Sequence, residues 1–361
     1  MPRKVDSNGT YANAIRRSKS AALNTTSPST DDRASEPVDR LAPPPEADRG
    51  RSAERPSELG VMGWTDALWR TYAGFSDDRI LLLAAGITFY ALLALFPALT
   101  ALVSIAGFVI DPSRVAEQLQ RFSGILPEGA LNIIGGQMQR IASQSTSHLS
   151  VAFATGLVIA LWSANKGVKA MFEGLNVVYG EAEERSFLKL TFVSLLFTLG
   201  AMIMVVLALG AIVVVPAVLR FIGLGALPGI LVGLARWPIL FALIVIGIGL
   251  LYRFGPNRSP ARWRWISVGS LLAASLWVAA SALFSWYVTH FSTYNETYGS
   301  LGAVIVFMIW MWISATIILL GAELNAELEH QTARDTTTSP EKSMGSRGAK
   351  MADTVGHAAG E

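Results

Sequence analysis

Residues 301–320 read LGAVIVFMIWMWISATIILL and carry no charged side chain. A helix rising 1.5 Å per residue needs about 20 apolar residues to cross a hydrocarbon core of roughly 30 Å. The segment therefore reads as a membrane-spanning helix. Its ends are polar: Asn295, Tyr298, Gly299 and Ser300 precede it, and Glu323, Asn325 and Glu327 follow. A chain built around such a rod must place the rest of its apolar mass in the bilayer too.

The rest of the sequence agrees. With 52% hydrophobic and only 16% charged residues in 361, the composition is that of a membrane protein. Six spans are predicted, over about 80–110, 149–167, 187–218, 227–251, 265–289 and 300–322, giving an all-α polytopic fold. The first and third exceed what the bilayer needs, so tilt or a kink is expected. Pro97 supplies a kink in the first, and Pro216 marks the end of the third. Before the spans, Trp64, Leu68, Tyr72 and Phe75 recur at helical spacing, as in an amphipathic helix lying at the interface; packing against the bundle would give the same pattern. Two further short amphipathic helices are expected within 111–148.

Residues 1–58 and 331–361 are poor in large apolar groups and rich in Ser, Thr, Pro, Ala and charge. Both are expected to be disordered tails flanking a membrane domain over 59–330. Arg and Lys crowd one set of connections: Arg70 and Arg79, then Lys166, Lys169, Arg185 and Lys189, then Arg253, Arg258, Arg262 and Arg264. This bias places both termini in the cytoplasm.

The stretch YNETYGSLGAV, the Trp-rich run after it and GAELNAE resemble the YihY/BrkB family of bacterial inner-membrane proteins. AAGITFYALLALFPAL, LWSANKGVKAMFEGLNVVYGEAEERSF and the 263–287 region extend the resemblance across about 77–329. It implies a six-helix integral membrane protein, linked by name to serum resistance and virulence and once labelled a ribonuclease.

The residues speak against nuclease chemistry. The four histidines, His148, His290, His330 and His357, are isolated from one another, whereas metal-dependent cleavage wants clustered His and carboxylate ligands. With no cysteine, thiolate metal sites and thiol nucleophiles are excluded. The net charge of +2 gives no basic field to gather nucleic acid. No enzyme activity, metal or cofactor is expected.

Charges near a bilayer cost about 2.5–3.5 kcal/mol each and need a partner or a purpose. Lys166 either snorkels to the interface or pairs with a carboxylate across the bundle. Glu323, with Glu327 one turn later, is the natural acid, and Lys166, Arg185 or Arg79 could face it in a cytoplasmic ion-pair cluster. Thr88, Tyr90, Asn165, Lys166, Arg185, Glu323, Asn325 and Glu327 form the candidate path or cluster. Tyr294, Asn295, Tyr298 and Gly299 form either an outer-mouth motif or a tight turn. Two functions remain: a transporter moving a small solute or lipid, and a non-transporting envelope scaffold. Membrane lipids are expected around either, and Gly229 with Gly233 leaves a homo-oligomer open. A transporter should bring Thr88, Tyr90, Asn165, Lys166, Asn295 and Glu323 toward one path; a scaffold should pack them away.

Overall fold

The computed structural model describes residues 49–106, 151–221, 226–291, 301–338 and 340–359, all within one compact unit, Pro45–Glu361. The expected tail over 1–48, the short helices over 111–148 and the motif Tyr294, Asn295, Tyr298 and Gly299 lie outside these residues.

Among the described residues the fold is all helical. The helices are α1 (Val61–Asp77), α2 (Ile80–Ala106), α3 (Val151–Val178), α4 (Phe187–Phe221), α5 (Ala226–Phe254), α6 (Trp263–Phe291), α7 (Leu301–His330) and the short α8 (Lys350–Asp353). Each of α2 to α6 packs on its successor and α7 returns to α2, so the long helices form a ring. The last helix also touches α1, α3 and α8, and so has the most partners.

Among the described residues, four segments are long and apolar enough to span a membrane: Phe187–Ala208, Trp237–Phe254, Trp263–His290 and Val304–His330. A fifth is reached if α1 and the first part of α2, bent by 59°, count as one. Apolar side chains cover the outside: on α4, Phe192, Leu196, Ile203 and Leu207 are all exposed and fall on one helical stripe. Such a surface suits lipid rather than water.

Several boundaries differ from expectation. The third long helix continues through Pro216 to Phe221. Proline removes one backbone bond, and near a helix end the loss is local. Pro238 likewise lies inside α5, and α2 runs on past Pro97. Helix α3 extends 11 residues beyond the expected 167 to Val178, because Phe172, Leu175 and Val178 bury against the bundle once the apolar run has ended.

In α1 the amphipathic pattern is turned round. Asp66, Arg70 and Thr71 face the protein and are buried, whereas Leu68, Trp69 and Tyr72 are exposed. Trp64 and Phe75 pack partly against the core. The aromatic face is thus left for the bilayer, and the polar face has partners on α7. Between α1 and α2 the chain turns at Arg79, whose φ of 52° is unusual for a residue with a side chain.

The expectation of a disordered segment after 330 needs correcting, as does the tail boundary at 58. Residues 49–59 and 331–359 cover one end of the bundle. Thr332 Oγ1 donates to the Ala53 carbonyl at 2.7 Å and the Ala333 N–H to the Arg51 carbonyl at 2.8 Å. The Arg262 N–H donates to the Thr336 carbonyl at 2.9 Å, and the Ala359 N–H to Asp66 Oδ1 at 2.9 Å. Arg347 is buried and donates to the carbonyls of Ala333, Arg334, Lys342 and Ala352. Composition predicts disorder by counting apolar burial; this segment is held mainly by hydrogen bonds.

The interior at that end is apolar. Ile80, Ile87, Leu175, Tyr179, Ile248, Tyr252, Ile266 and Leu319, from α2, α3, α5, α6 and α7 or their ends, form one buried cluster.

Candidate functional site: the charged end of the last helix

The segment GAELNAELEH closes α7. Its polar residues fall at 323, 325, 327 and 329, in steps of two. At about 100° per residue, each two-residue step carries a side chain roughly 200° round the helix, so the series alternates between opposite faces. Glu323 and Glu327 share one face, Asn325 and Glu329 the other, and all four are buried.

The first face meets α1. Arg70 Nε donates to Glu327 Oε2 at 2.5 Å, while its Nη1 and Nη2 reach the His357 carbonyl and Gln331 Oε1, each at 2.7 Å. One turn back, Glu323 lies over Gly74, where an added Cβ would collide with Oε1. Its side chain also meets the carboxyl of Asp78. Glu323 Oε2 has no hydrogen-bond partner.

The opposite face holds α6 and the α5–α6 loop. Asn325 Oδ1 accepts the Gly269 N–H at 2.8 Å, and Nδ2 donates to the Ile266 carbonyl at 3.1 Å. A side chain at Gly269 would run into the Gly321 carbonyl and Asn325, so glycine is what lets α6 and α7 touch here. Glu329 is paired with Arg258 through two bonds, of 2.6 and 3.2 Å, and accepts the Thr336 hydroxyl at 2.7 Å. The Arg258 guanidinium also lies 4.9 Å from the centre of the Tyr179 ring. Burial works against its charge, but Glu329 outweighs this and holds its pKa above the ordinary value. From α5, Tyr252 Oη donates to the Ile318 carbonyl at 2.6 Å.

A second clamp joins the α3–α4 and α5–α6 loops. Asn176 donates to Glu183 at 3.0 Å and accepts the Asn257 N–H at 2.7 Å. Arg185 pairs with Glu183 at 2.6 Å and reaches the Gly255 carbonyl at 2.9 Å. Partial burial pushes the Glu183 carboxyl up, yet the bonds from Arg185 and Asn176 hold it below its usual range.

The structure does not gather the predicted residues into one path. Thr88 is buried and donates to the Ala84 carbonyl at 2.8 Å within its own helix. Asn165 is buried at the α3–α4 contact, where its Oδ1 accepts from Thr198 at 3.2 Å. Tyr90 is exposed beside Phe89, and Lys166 is exposed. The ion-pair expectation is half corrected: a charged cluster exists, but Glu323 meets neither Lys166 nor Arg185. Arg185 is taken by Glu183, and Arg79 is exposed beyond the turn that follows Asp78. Glu327 and Glu329 hold the cations instead.

Sequence reasoning missed Arg70, Asp78, Arg258 and Glu329 as members of this site. Arg70 and Arg258 were visible only as topology charges. The two-residue periodicity in ELNAELE was the available signal for Glu329.

The arrangement of a long apolar helix, a charged terminal segment and a ring of membrane-length helices accords with the comparisons with known proteins. The family model described as "Virulence factor BrkB" matches residues 71–345. The chain belongs to the BrkB family. Among its relatives, the "Putative ribonuclease-like protein YfkH" of Bacillus subtilis is 30% identical over 250 residues, covering 68% of this chain and 88% of that one. A "UPF0761 membrane protein" of Tolumonas auensis is 30% identical over 258 residues, covering 70% and 81%. Another from Alkalilimnicola ehrlichii is 31% identical over 256 residues, covering 70% of this chain and 56% of its own length. No solved structure matches. The BrkB match includes α1 from Thr71 onward, all of α7 and the first half of the segment over 331–359.

Proposed function

We propose that this BrkB-family chain is a six-span protein of the bacterial inner membrane, with both termini cytoplasmic, that translocates a small solute or lipid without an ATPase or enzyme activity of its own. In this reading the charged end of α7 is the cytoplasmic closure of the ring. One observation carries it. The ion pairs that tie α7 to α1 and to the α5–α6 loop both lie in its last eight residues, 323–330, at one end of a helix that is otherwise uncharged. Ion pairs and side-chain hydrogen bonds can be exchanged for water without unfolding the apolar packing, as a gate requires.

A second reading, an envelope scaffold, is favoured by the burial of Thr88 and Asn165 in helix contacts rather than along a path. A ribonuclease, as the Bacillus relative's name suggests for that protein, is left out of the proposal. Among the described residues no three His, Asp or Glu side chains come together as metal ligands.

Cysteine accessibility separates the two readings, since the chain has no native cysteine. Single cysteines replacing Thr88, Asn165 and Leu319 are exposed to an impermeant maleimide from each side of oriented vesicles. A transporter labels slowly at these buried positions while remaining folded. A scaffold does not label there at all.

A further inference from the structure

Glu323 stands apart from its neighbours on α7. Glu323 is buried, at 2% exposure, yet Oε2 has no partner, and its side chain interacts with the carboxyl of Asp78, one turn beyond Gly74. Gly74 leaves the space that allows this approach. The cations nearby are committed or turned away. On α1, Arg70 is saturated by Glu327, Gln331 and the His357 carbonyl, and Asp77 adds a further negative charge. In the turn, Arg79 is exposed. Glu327 lies one turn along α7, with His330 beyond it, 3.4 Å from the same carboxylate. Lys350 on α8 brings a positive charge to bear on Asp78 without forming an ion pair with it, and Tyr179, just past α3, lies within electrostatic reach of Glu323.

Two carboxylates that meet, one of them buried and neither in an ion pair, repel one another; with one proton between them the contact becomes a hydrogen bond. We propose that Asp78 and Glu323 form a proton-binding site, in which one shared proton joins α1 to α7 and its loss releases that contact. The Arg79 turn is where the movement would be taken up, because the chain there is bent by 59° through a strained residue. This deepens the transport reading by naming a coupling ion, and it rests on that reading only for its consequence; the proton site itself exists with or without transport.

The test is infrared difference spectroscopy of the full-length protein in lipid, acidic minus alkaline. The expected result is a protonated-carboxyl C=O band, shifted in D2O, that Glu323→Gln and Asp78→Asn each abolish, because the pair titrates as one unit. Asp77→Asn, at an exposed neighbour, leaves the band in place. Asp78 sits in a turn, so Asp78→Asn still decides the matter if Glu323→Gln does not fold. A band untouched by Asp78→Asn overturns the proposal. So does loss of the band on adding sodium, potassium, magnesium or calcium ions at fixed pH, which would assign the site to a metal cation. Neither readout depends on transport, so a proton site in a chain that moves nothing is distinguishable from no site at all.

Discussion

Arg258 Nη2 and Glu329 Oε2 stand 2.6 Å apart, with side chains only 2% and 0% exposed. This joins the loop between α5 and α6 to the end of α7, where water cannot replace either partner. Removing one partner of a buried pair costs about 3–5 kcal/mol, because the other is left charged and unpaired. Glu329→Gln and Arg258→Met should each lower stability by roughly that amount, read as denaturant unfolding in mild detergent. The double substitution Arg258→Met with Glu329→Leu should recover most of the loss. Equal destabilisation by the single and double variants would contradict the pairing.

The α6–α7 contact depends on two residues acting together. Gly269→Ala forces a methyl group against the Gly321 carbonyl and Asn325, and overpacking of this kind costs about 1–3 kcal/mol. Asn325→Leu removes both of its bonds to the α6 backbone and should cost about 1–3 kcal/mol. Since the residues touch, the double variant should fall short of additivity. Thermal unfolding of the four proteins checks this.

Most of the architecture could be read from hydrophobic runs, because a span must be apolar for its whole length whatever its neighbours. That is why the 187–218, 265–289 and 300–322 segments reappear as long helices, whereas the end of the 149–167 span did not: beyond the hydrocarbon, length is set by tertiary burial, as for Phe172, Leu175 and Val178. The partners of Glu323 could not be read in the same way. Choosing among Lys166, Arg185 and Arg79 required knowing which helix packs against which face, and the decisive element, α1, turns its polar side inward. Nor does composition report a segment held by Arg347 among carbonyls.

That covering segment should respond to acid in a defined direction. Burial pushes Asp335 and Asp353 up, but backbone N–H groups, with Thr337 and Arg347 at Asp335, outweigh it and hold both below their ordinary 3.8. A depressed carboxyl contributes stability above its unfolded pKa and loses it as pH falls through the folded value. Glu181, which burial raises, acts in the opposite sense. Protease sensitivity of 331–359 should therefore not increase from about pH 7 to 5 and rise only below about pH 4. A rise already at about pH 6 would contradict this assignment.

Arg347 gives a second route to the same segment. Arg347→Ala leaves the carbonyls of Ala333, Arg334, Lys342 and Ala352 without their shared donor. The expected outcome is cleavage within 331–359 at neutral pH, with the membrane helices still intact on a gel. Loss of the whole protein would instead mean that the segment is needed for the bundle to fold.

The central claim is that the charged end of α7 is a releasable closure rather than a permanent joint. Spin labels on cysteines at Asp77 and Glu184, both exposed, report the distance across that end by double electron–electron resonance in lipid. Two distance populations are predicted, with the longer one enriched when Glu327→Gln weakens the link to Arg70. A single narrow distance, unchanged by that substitution, would contradict the claim and leave the scaffold reading in its place.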